Sequence, residues 1–167
     1  MQIQFAGSAS AVRAHEEILG YWRSRRDRGK LPGRAQIDPG DIKRHLPTIS
    51  LIDVRPTDGV ALRDYRLRLA GTGLYGVYGG EITGKRLGDV YAADAAAYWR
   101  TELDQVVESR CPGVGFHSLA WRGAAHLSIL WLRLPLAGDG DRVDMILGYD
   151  VVVGTGSEWG RSGIRAA

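Results

Sequence analysis

The most specific chemical pattern in this chain is Gly71-Thr72-Gly73-Leu74-Tyr75-Gly76, a literal G-x-G-x-x-G that follows a strand-like run. In a dinucleotide-binding unit such a loop brings backbone amides at a helix N-terminus against a pyrophosphate. An acidic residue farther on, here Asp94, would meet the ribose. The surroundings argue against that chemistry. The motif must open a helix of several turns that leads to a parallel strand, yet Gly79-Gly80 stops any helix after roughly two turns. With 23 glycines in 167 residues, a chance match is also easy. We therefore expect a structural turn, and keep a small enzyme or nucleotide-binding protein using Gly71–Gly76 as the alternative.

The other reactive residue types form no mechanism. Asp38, Asp41, Asp53, Glu81, Asp89 and Asp94 show no spacing that acid–base or metal chemistry demands. There is no G-x-S-x-G elbow, no H-E-x-x-H and no cysteine–histidine pair in a recognisable setting. His117 and His126 fall on adjacent predicted strands. Without a third ligand they read as packing or hydrogen-bonding residues rather than a metal site. The expectation is a protein that is not an enzyme.

The elements that position these residues can be read in order. Ser10–Arg28 reads as a first helix capped by Ser10, with Val12, His15, Leu19 and Trp22 on one face and Ile18 widening it. Its end is basic (Arg23, Arg25, Arg26, Arg28, Lys30), which complements the helix dipole. Asp38 before Pro39 predicts a short helix that Pro47 ends. Ile49–Val54 and Leu62–Ala70 are predicted strands, antiparallel across the turn Pro56-Thr57-Asp58-Gly59. In the second, Tyr65, Leu67 and Leu69 alternate with Arg66 and Arg68. Six glycines between Gly71 and Gly84 then bend the chain through short helical pieces. Ala92–Arg110 is the longest predicted helix, with Ala96, Trp99, Leu103, Val106 and Val107 as its stripe. Strands Val114–Arg122, His126–Leu136 and Val143–Val153 follow with hairpin-length links, so they pair antiparallel. The last two are nearly continuous in apolar residues, which predicts cover on both faces. Gly154–Ala167 reads as a loose tail after a single domain over residues 1–153, with Trp159 as its only anchor.

Composition is that of one ordinary domain: 44% hydrophobic and 25% charged, with a net charge of +3. A lone cysteine, Cys111, excludes an internal disulfide framework and suits a reducing compartment. No apolar run approaches the roughly 18 residues that span a bilayer, and no secretory signal is visible. The expectation is a cytoplasmic protein with no membrane partner. A nucleic-acid partner is not expected either, because the arrangement supplies no helix-turn-helix and acidic residues intersperse the basic run.

Two strands, a helical crossover and a three-strand meander is the element order of a PAS domain. The chain also resembles the single-domain PAS_5 family common in alphaproteobacteria. The resemblance is carried by Tyr21-Trp22, Leu31-Pro32-Gly33-Arg34, Ile37-Asp38-Pro39 with Ile42, and Leu46-Pro47 with Ile49 and Leu51. It continues in Tyr65-Arg66-Leu67-Arg68-Leu69-Ala70-Gly71-Thr72, Gly80-Glu81, Thr83-Gly84, Leu134-Pro135-Leu136 and Met145-Ile146-Leu147-Gly148, covering about residues 10 to 153.

The resemblance implies an α+β fold: a PAS-like five-stranded antiparallel sheet with helices across one face and an extra N-terminal helix. It implies a stand-alone sensory or adaptor protein in signalling that binds a small ligand or a protein partner. With no kinase or cyclase segment in the chain, the output is expected in another polypeptide. The ligand would sit between sheet and helices, beside the glycine-rich bend. Candidate ligand-binding residues are Arg68, Thr72, Tyr75, Tyr78, Trp99, Trp121 and Trp131, with Tyr149 as a further aromatic wall. Arg66 or Arg68 would either grip a carboxylate or phosphate there, or salt-bridge Asp38 or Asp53. The cofactor is left open. Cys111 before Pro112 is not the cysteine setting of a photoactive flavin domain, and Ala92–Arg110 has no histidine for haem. Leu19, Trp22 and Arg26 on the first helix form the candidate surface for a homodimer or a protein partner.

Overall fold

Two strands that form a hairpin, followed by a helix long enough to cross a sheet, leave the last three strands only the far edge to build on. That is the arrangement found. The computed structural model describes residues 7–57 and 60–154, except for the side chains of residues 60 and 61. The tip of the turn at Asp58-Gly59 and the predicted tail beyond residue 154, including Trp159, lie outside the described residues. Strands β1 (Ile49–Thr57), β2 (Val60–Ala70), β3 (Gly113–Leu119), β4 (Ala124–Leu136) and β5 (Met145–Gly154) form one sheet in the order β2-β1-β5-β4-β3. Every neighbouring pair is antiparallel. The first and last strands therefore meet in the middle.

Both faces of the sheet are covered. Helix α1 (Ser8–Ser24) lies on one, burying Ala11, His15, Ile18 and Trp22 at spacings of four, three and four. This rotates the predicted stripe: Val12 and Leu19 are only half-buried. The helix also starts before Ser10, with the Ala11 N–H donating to the Gly7 carbonyl at 3.0 Å. Its basic end is tied down within the chain. Arg25 pairs with Asp41 and stacks over the Tyr21 ring, and the Arg26 guanidinium lies 5.3 Å from the Trp22 ring centre.

On the opposite face run the short helices α2 (Leu74–Tyr78) and α3 (Leu87–Val90) and the long helix α4 (Ala93–Ser109). The pleat assigns alternate residues of β4 to the two sides. Leu130 clusters with Ala11 of α1, whereas the Trp131 ring sits 5.4 Å from that of Trp99 on α4. This is why the last two strands carry nearly continuous apolar runs.

Three local predictions give way to local hydrogen bonding. The Asp38 carboxylate accepts the Gly40 N–H at 2.8 Å and turns the chain. Beyond this turn, Lys43–Thr48 forms a 3-10 helix, with Pro47 inside it rather than ending an α-helix. The strand predicted to reach Arg122 stops at Leu119, because the Ser118 hydroxyl takes the Ala120 N–H at 3.1 Å and Ala120–Arg122 forms one 3-10 turn. In β2, Leu51 faces Leu69 while Ile52 faces Leu67, so Arg68 has no partner residue on β1. This bulge breaks the alternation: Tyr65 and Leu67 are buried, but Leu69 is 46% exposed.

Candidate functional site

Strands β4 and β5 each carry one charge inside an apolar run: Arg133 in Leu130-Trp131-Leu132-Arg133-Leu134, and Asp150 in Leu147-Gly148-Tyr149-Asp150-Val151. Register pairs Trp131 with Asp150 and Arg133 with Gly148, so the two charges are diagonal neighbours on the face beneath α2, α3 and α4. Arg133 Nη1 donates to Asp150 Oδ1 at 2.7 Å, and Nη2 to Oδ2 at 3.3 Å. Nη1 also reaches the Leu132 carbonyl at 2.9 Å. Arg133 and Asp150 are 2% and 3% exposed, so the pair is removed from solvent. Burial alone would lower the Arg133 pKa, but the adjoining carboxylate holds it above its ordinary value.

Aromatic rings enclose the pair. The guanidinium carbon lies 4.7 Å from the centre of the Trp99 ring and 5.8 Å from that of Trp131. The Tyr91 hydroxyl donates to the Tyr78 hydroxyl at 2.9 Å. Burial first, and then the nearby Asp150 charge, push the Tyr78 phenol upward; burial and Tyr78 itself do the same to Tyr91. Both phenols stay protonated. Gly148 and Gly115 make the space. A Cβ on Gly148 would overlap the Ser50 hydroxyl and stand 3.2 Å from Arg133 Nη1, and one on Gly115 would meet the Trp131 ring at 2.6 Å.

Two buried donors in this cluster, Arg133 Nε and Trp99 Nε1, have no acceptor among the described protein groups. Their side chains line, with Ser50, Tyr78, Tyr91 and Asp150, a cavity of about 10 Å³. That is room for a single water molecule. The remaining wall is apolar, from β1, β2 and the segment running from α2 to α3.

The structure gathers some of the predicted site residues and disperses others. Tyr78, Trp99 and Trp131 converge on the ion pair, and Trp121, 37% exposed, lies 6.0 Å from the Tyr78 ring at the outer rim. Arg68 lies elsewhere: it is exposed and paired with Asp53 at 3.6 Å, the structural role considered for it. Thr72 and Tyr75 line a separate pocket of about 100 Å³ with Gly80 and Glu81. Tyr149 faces α1, where its hydroxyl and His45 Nδ1 are 2.8 Å apart. Trp22 is 1% exposed, with its indole N–H on the Pro135 carbonyl at 3.0 Å, so it belongs to the core and presents no surface. His117 stacks on Tyr98 at 4.7 Å and pairs with Ile129 across the sheet, not with His126. Among the described residues, no cluster of three or more His, Cys, Asp or Glu is placed to hold a metal.

The glycine loop is not a phosphate cradle. The Gly71 and Gly73 N–H groups donate to the Ile49 and Pro47 carbonyls, each at 2.8 Å, and α2 is only five residues long. A Cβ on Gly71 would overlap the Leu46 and Pro47 carbonyl oxygens. Glycine is required there for close backbone approach.

Arg133, Asp150, Tyr91 and Ser50 escaped the sequence reading. For Arg133 and Asp150 a signal was present: two lone charges of opposite sign within strands expected to be covered on both faces.

Residues 10–151 match the family described as PAS_5, PAS domain. The chain belongs to the PAS_5 family. No curated protein matches it. Among solved structures, this PAS domain is similar to the Rhodobacter sphaeroides LOV protein, at 17% identity and a TM-score of 0.43, over 76% of this chain and 71% of that one. It is also similar to the RsLOV d2 variant, at 18% identity and a TM-score of 0.44, over 87% and 70% of the two chains. No helix among the described residues is long and apolar enough to cross a membrane. The cavity does not fit a flavin or a haem. Its volume is about 10 Å³, no cysteine or histidine lines it, and Cys111 is exposed.

Proposed function

We propose that this PAS domain is a non-catalytic sensory or adaptor module whose core recognises a small ligand and whose surface meets a protein partner or a second copy of the chain. One observation carries the reading: a buried, aromatic-enclosed ion pair beside a cavity in which two donors have no acceptor among the described protein groups. Such an arrangement is costly to maintain for packing alone, because an apolar pair of similar volume is often at least as stable. In this conformation the cavity admits only a water-sized group, so a larger ligand enters only when the segment from α2 to α3 draws back from the sheet. The locked ion pair and the protonated phenols offer no free base or nucleophile, which supports a binding role over catalysis. The half-buried edge of α1 at Leu19, continued past the end of the helix by the exposed Arg26, is the surface we assign to self-association.

Mass spectrometry of small molecules released on denaturing the purified protein tests the ligand. A stoichiometric species is expected. A protein that releases nothing, and whose Trp99 indole resonance is unmoved by cell metabolite extracts, would refute the sensing role. Light scattering after size exclusion tests the second part, and a monomer at high micromolar concentration would remove the dimer.

A further inference from the structure

We propose that a groove on the α1 side of the sheet is a second binding site, which takes a small organic anion by its carboxylate or phosphate group. It is separate from the core cavity, and its test does not depend on what that cavity holds.

The pleat makes the groove. Ile52 lines the core cavity, so its neighbour Asp53, and Arg55 beyond, project from the opposite face of β1, the side on which α1 lies. On that side α1 rests on β4, where His15 meets the Leu130 carbonyl and the Trp22 indole N–H the Pro135 carbonyl. A hollow of about 440 Å³ remains over β1, lined by Asp53, Arg55 and Arg68 from the strands and by Arg34 from the turn Gly33–Gln36. That volume is within the range of small-molecule sites.

The wall is built in advance. Gln36 Oε1 accepts the Gly33 N–H at 2.8 Å, and the Ala137 N–H donates to the Pro32 carbonyl at 3.0 Å. A Cβ on Gly33 would stand 3.1 Å from the Ala137 carbonyl oxygen, so turn and sheet are in close contact. A concavity fixed in this way has little ordering cost to meet when a ligand enters.

Charge then selects the ligand. Three guanidiniums (Arg34, Arg55, Arg68) and two carboxylates (Asp53, Asp144) line the groove, an excess of one positive charge. Asp144 is engaged with the Gly138 N–H at 3.0 Å. Asp53 is buried and shared: its Oδ2 lies 3.4 Å from Arg55 and its Oδ1 3.6 Å from Arg68, the second too far for a hydrogen bond. One carboxylate therefore holds two exposed guanidiniums loosely and leaves donor edges of both for another acceptor. The planar fork of arginine matches the paired oxygens of a carboxylate or phosphate. Val54, Ala35 and Met145 supply apolar contact for the carbon part of such a molecule.

The test titrates benzoate, phenyl phosphate and neutral benzamide into ¹⁵N-labelled full-length protein at constant low ionic strength. The backbone amides of Ala35, Val54 and Gly138 report on the groove, and the Trp99 indole on the core. At least one anion is expected to saturate the groove amides in the roughly millimolar range, at least about tenfold below benzamide, with Trp99 unmoved. The tighter of the two anions identifies the group, and either order supports the site. Arg68 makes no hydrogen bond among the described residues, so Arg68→Gln is expected to leave the fold intact and weaken the anion about tenfold. Arg23→Gln removes the same charge from the exposed side of α1 and is expected to change binding less than about twofold. Benzamide binding as tightly as the anions overturns the charge assignment. Equal weakening by Arg23→Gln and Arg68→Gln overturns the site, because attraction to net charge alone would explain it. Saturation by neither anion, or saturation at Trp99 without the groove amides, overturns it as well.

Discussion

Replacing Arg133 by methionine removes one charge of the buried pair and leaves the other. Asp150 is 3% exposed, and the hydrogen bonds its carboxylate receives come from Arg133 at 2.7 and 3.3 Å. Breaking a pair sequestered to this degree costs about 3–5 kcal/mol, because the stranded carboxylate keeps its desolvation penalty and loses its partner. That is a large share of the roughly 5–15 kcal/mol by which a domain is stable. The cost should vanish when the orphan is removed as well. Arg133→Met combined with Asp150→Leu is expected to lie within about 1–2 kcal/mol of the wild type, since an apolar pair of similar volume substitutes well. Equilibrium urea unfolding of the wild type, both single variants and the double variant closes the cycle, with the coupling taken from the non-additivity. An Arg133→Met variant losing less than about 1 kcal/mol, the range of surface ion pairs, would show that water reaches the pair. The chamber would then not be the dry, donor-rich site inferred from its geometry.

Further outcomes can be measured on the same protein. His15 is 7% exposed and bonded to the Leu130 carbonyl; burial lowers its pKa from 6.5 to about 4. Between these values the unfolded chain binds the extra proton, so stability is full above pH 6.5 and falls on acidification toward pH 4. The ceiling is about 3 kcal/mol at 1.36 kcal/mol per unit, and His15→Gln should flatten the slope of urea-derived stability in that window. Gly71→Ala should cost about 1–3 kcal/mol in thermal or urea unfolding by forcing a methyl group against the Leu46–Pro47 backbone. Gly80→Ala, where a Cβ meets nothing within 4 Å, should stay within about 1 kcal/mol of the wild type, and equal effects at the two positions would contradict the close-approach account. Asp104→Asn should lose about 1–3 kcal/mol, because the carboxylate accepts from the Tyr65 hydroxyl and from Arg63 at 3.2 Å. An unchanged urea midpoint would show that this link between β2 and α4 contributes nothing.

Periodicity, turn residues and connection lengths were enough to read the architecture from the chain alone. Period-2 alternation marked β2, the stripe on 92–110 marked α4, and hairpin-length links required antiparallel pairing; each is a local property that survives folding. The double cover of β4 and β5 was legible for the same reason, since a strand with no polar face has no side to give to water. Sequence also cast doubt on the nucleotide loop through Gly79-Gly80, and the observed backbone bonds of Gly71 and Gly73 supply the reason. What the chain alone did not decide is which residues meet. Arg68 does not join the central ion pair, because the bulge at Leu51/Ile52 takes it out of register and leaves it with Asp53. Trp22 passed for a surface anchor until α1 rotated to bury it. Arg133 and Asp150 are 17 residues apart, on strands whose pairing register alone makes them diagonal neighbours. Local sequence sets each strand's pattern, but the site exists only where register, glycine-made space and the helices above the sheet coincide.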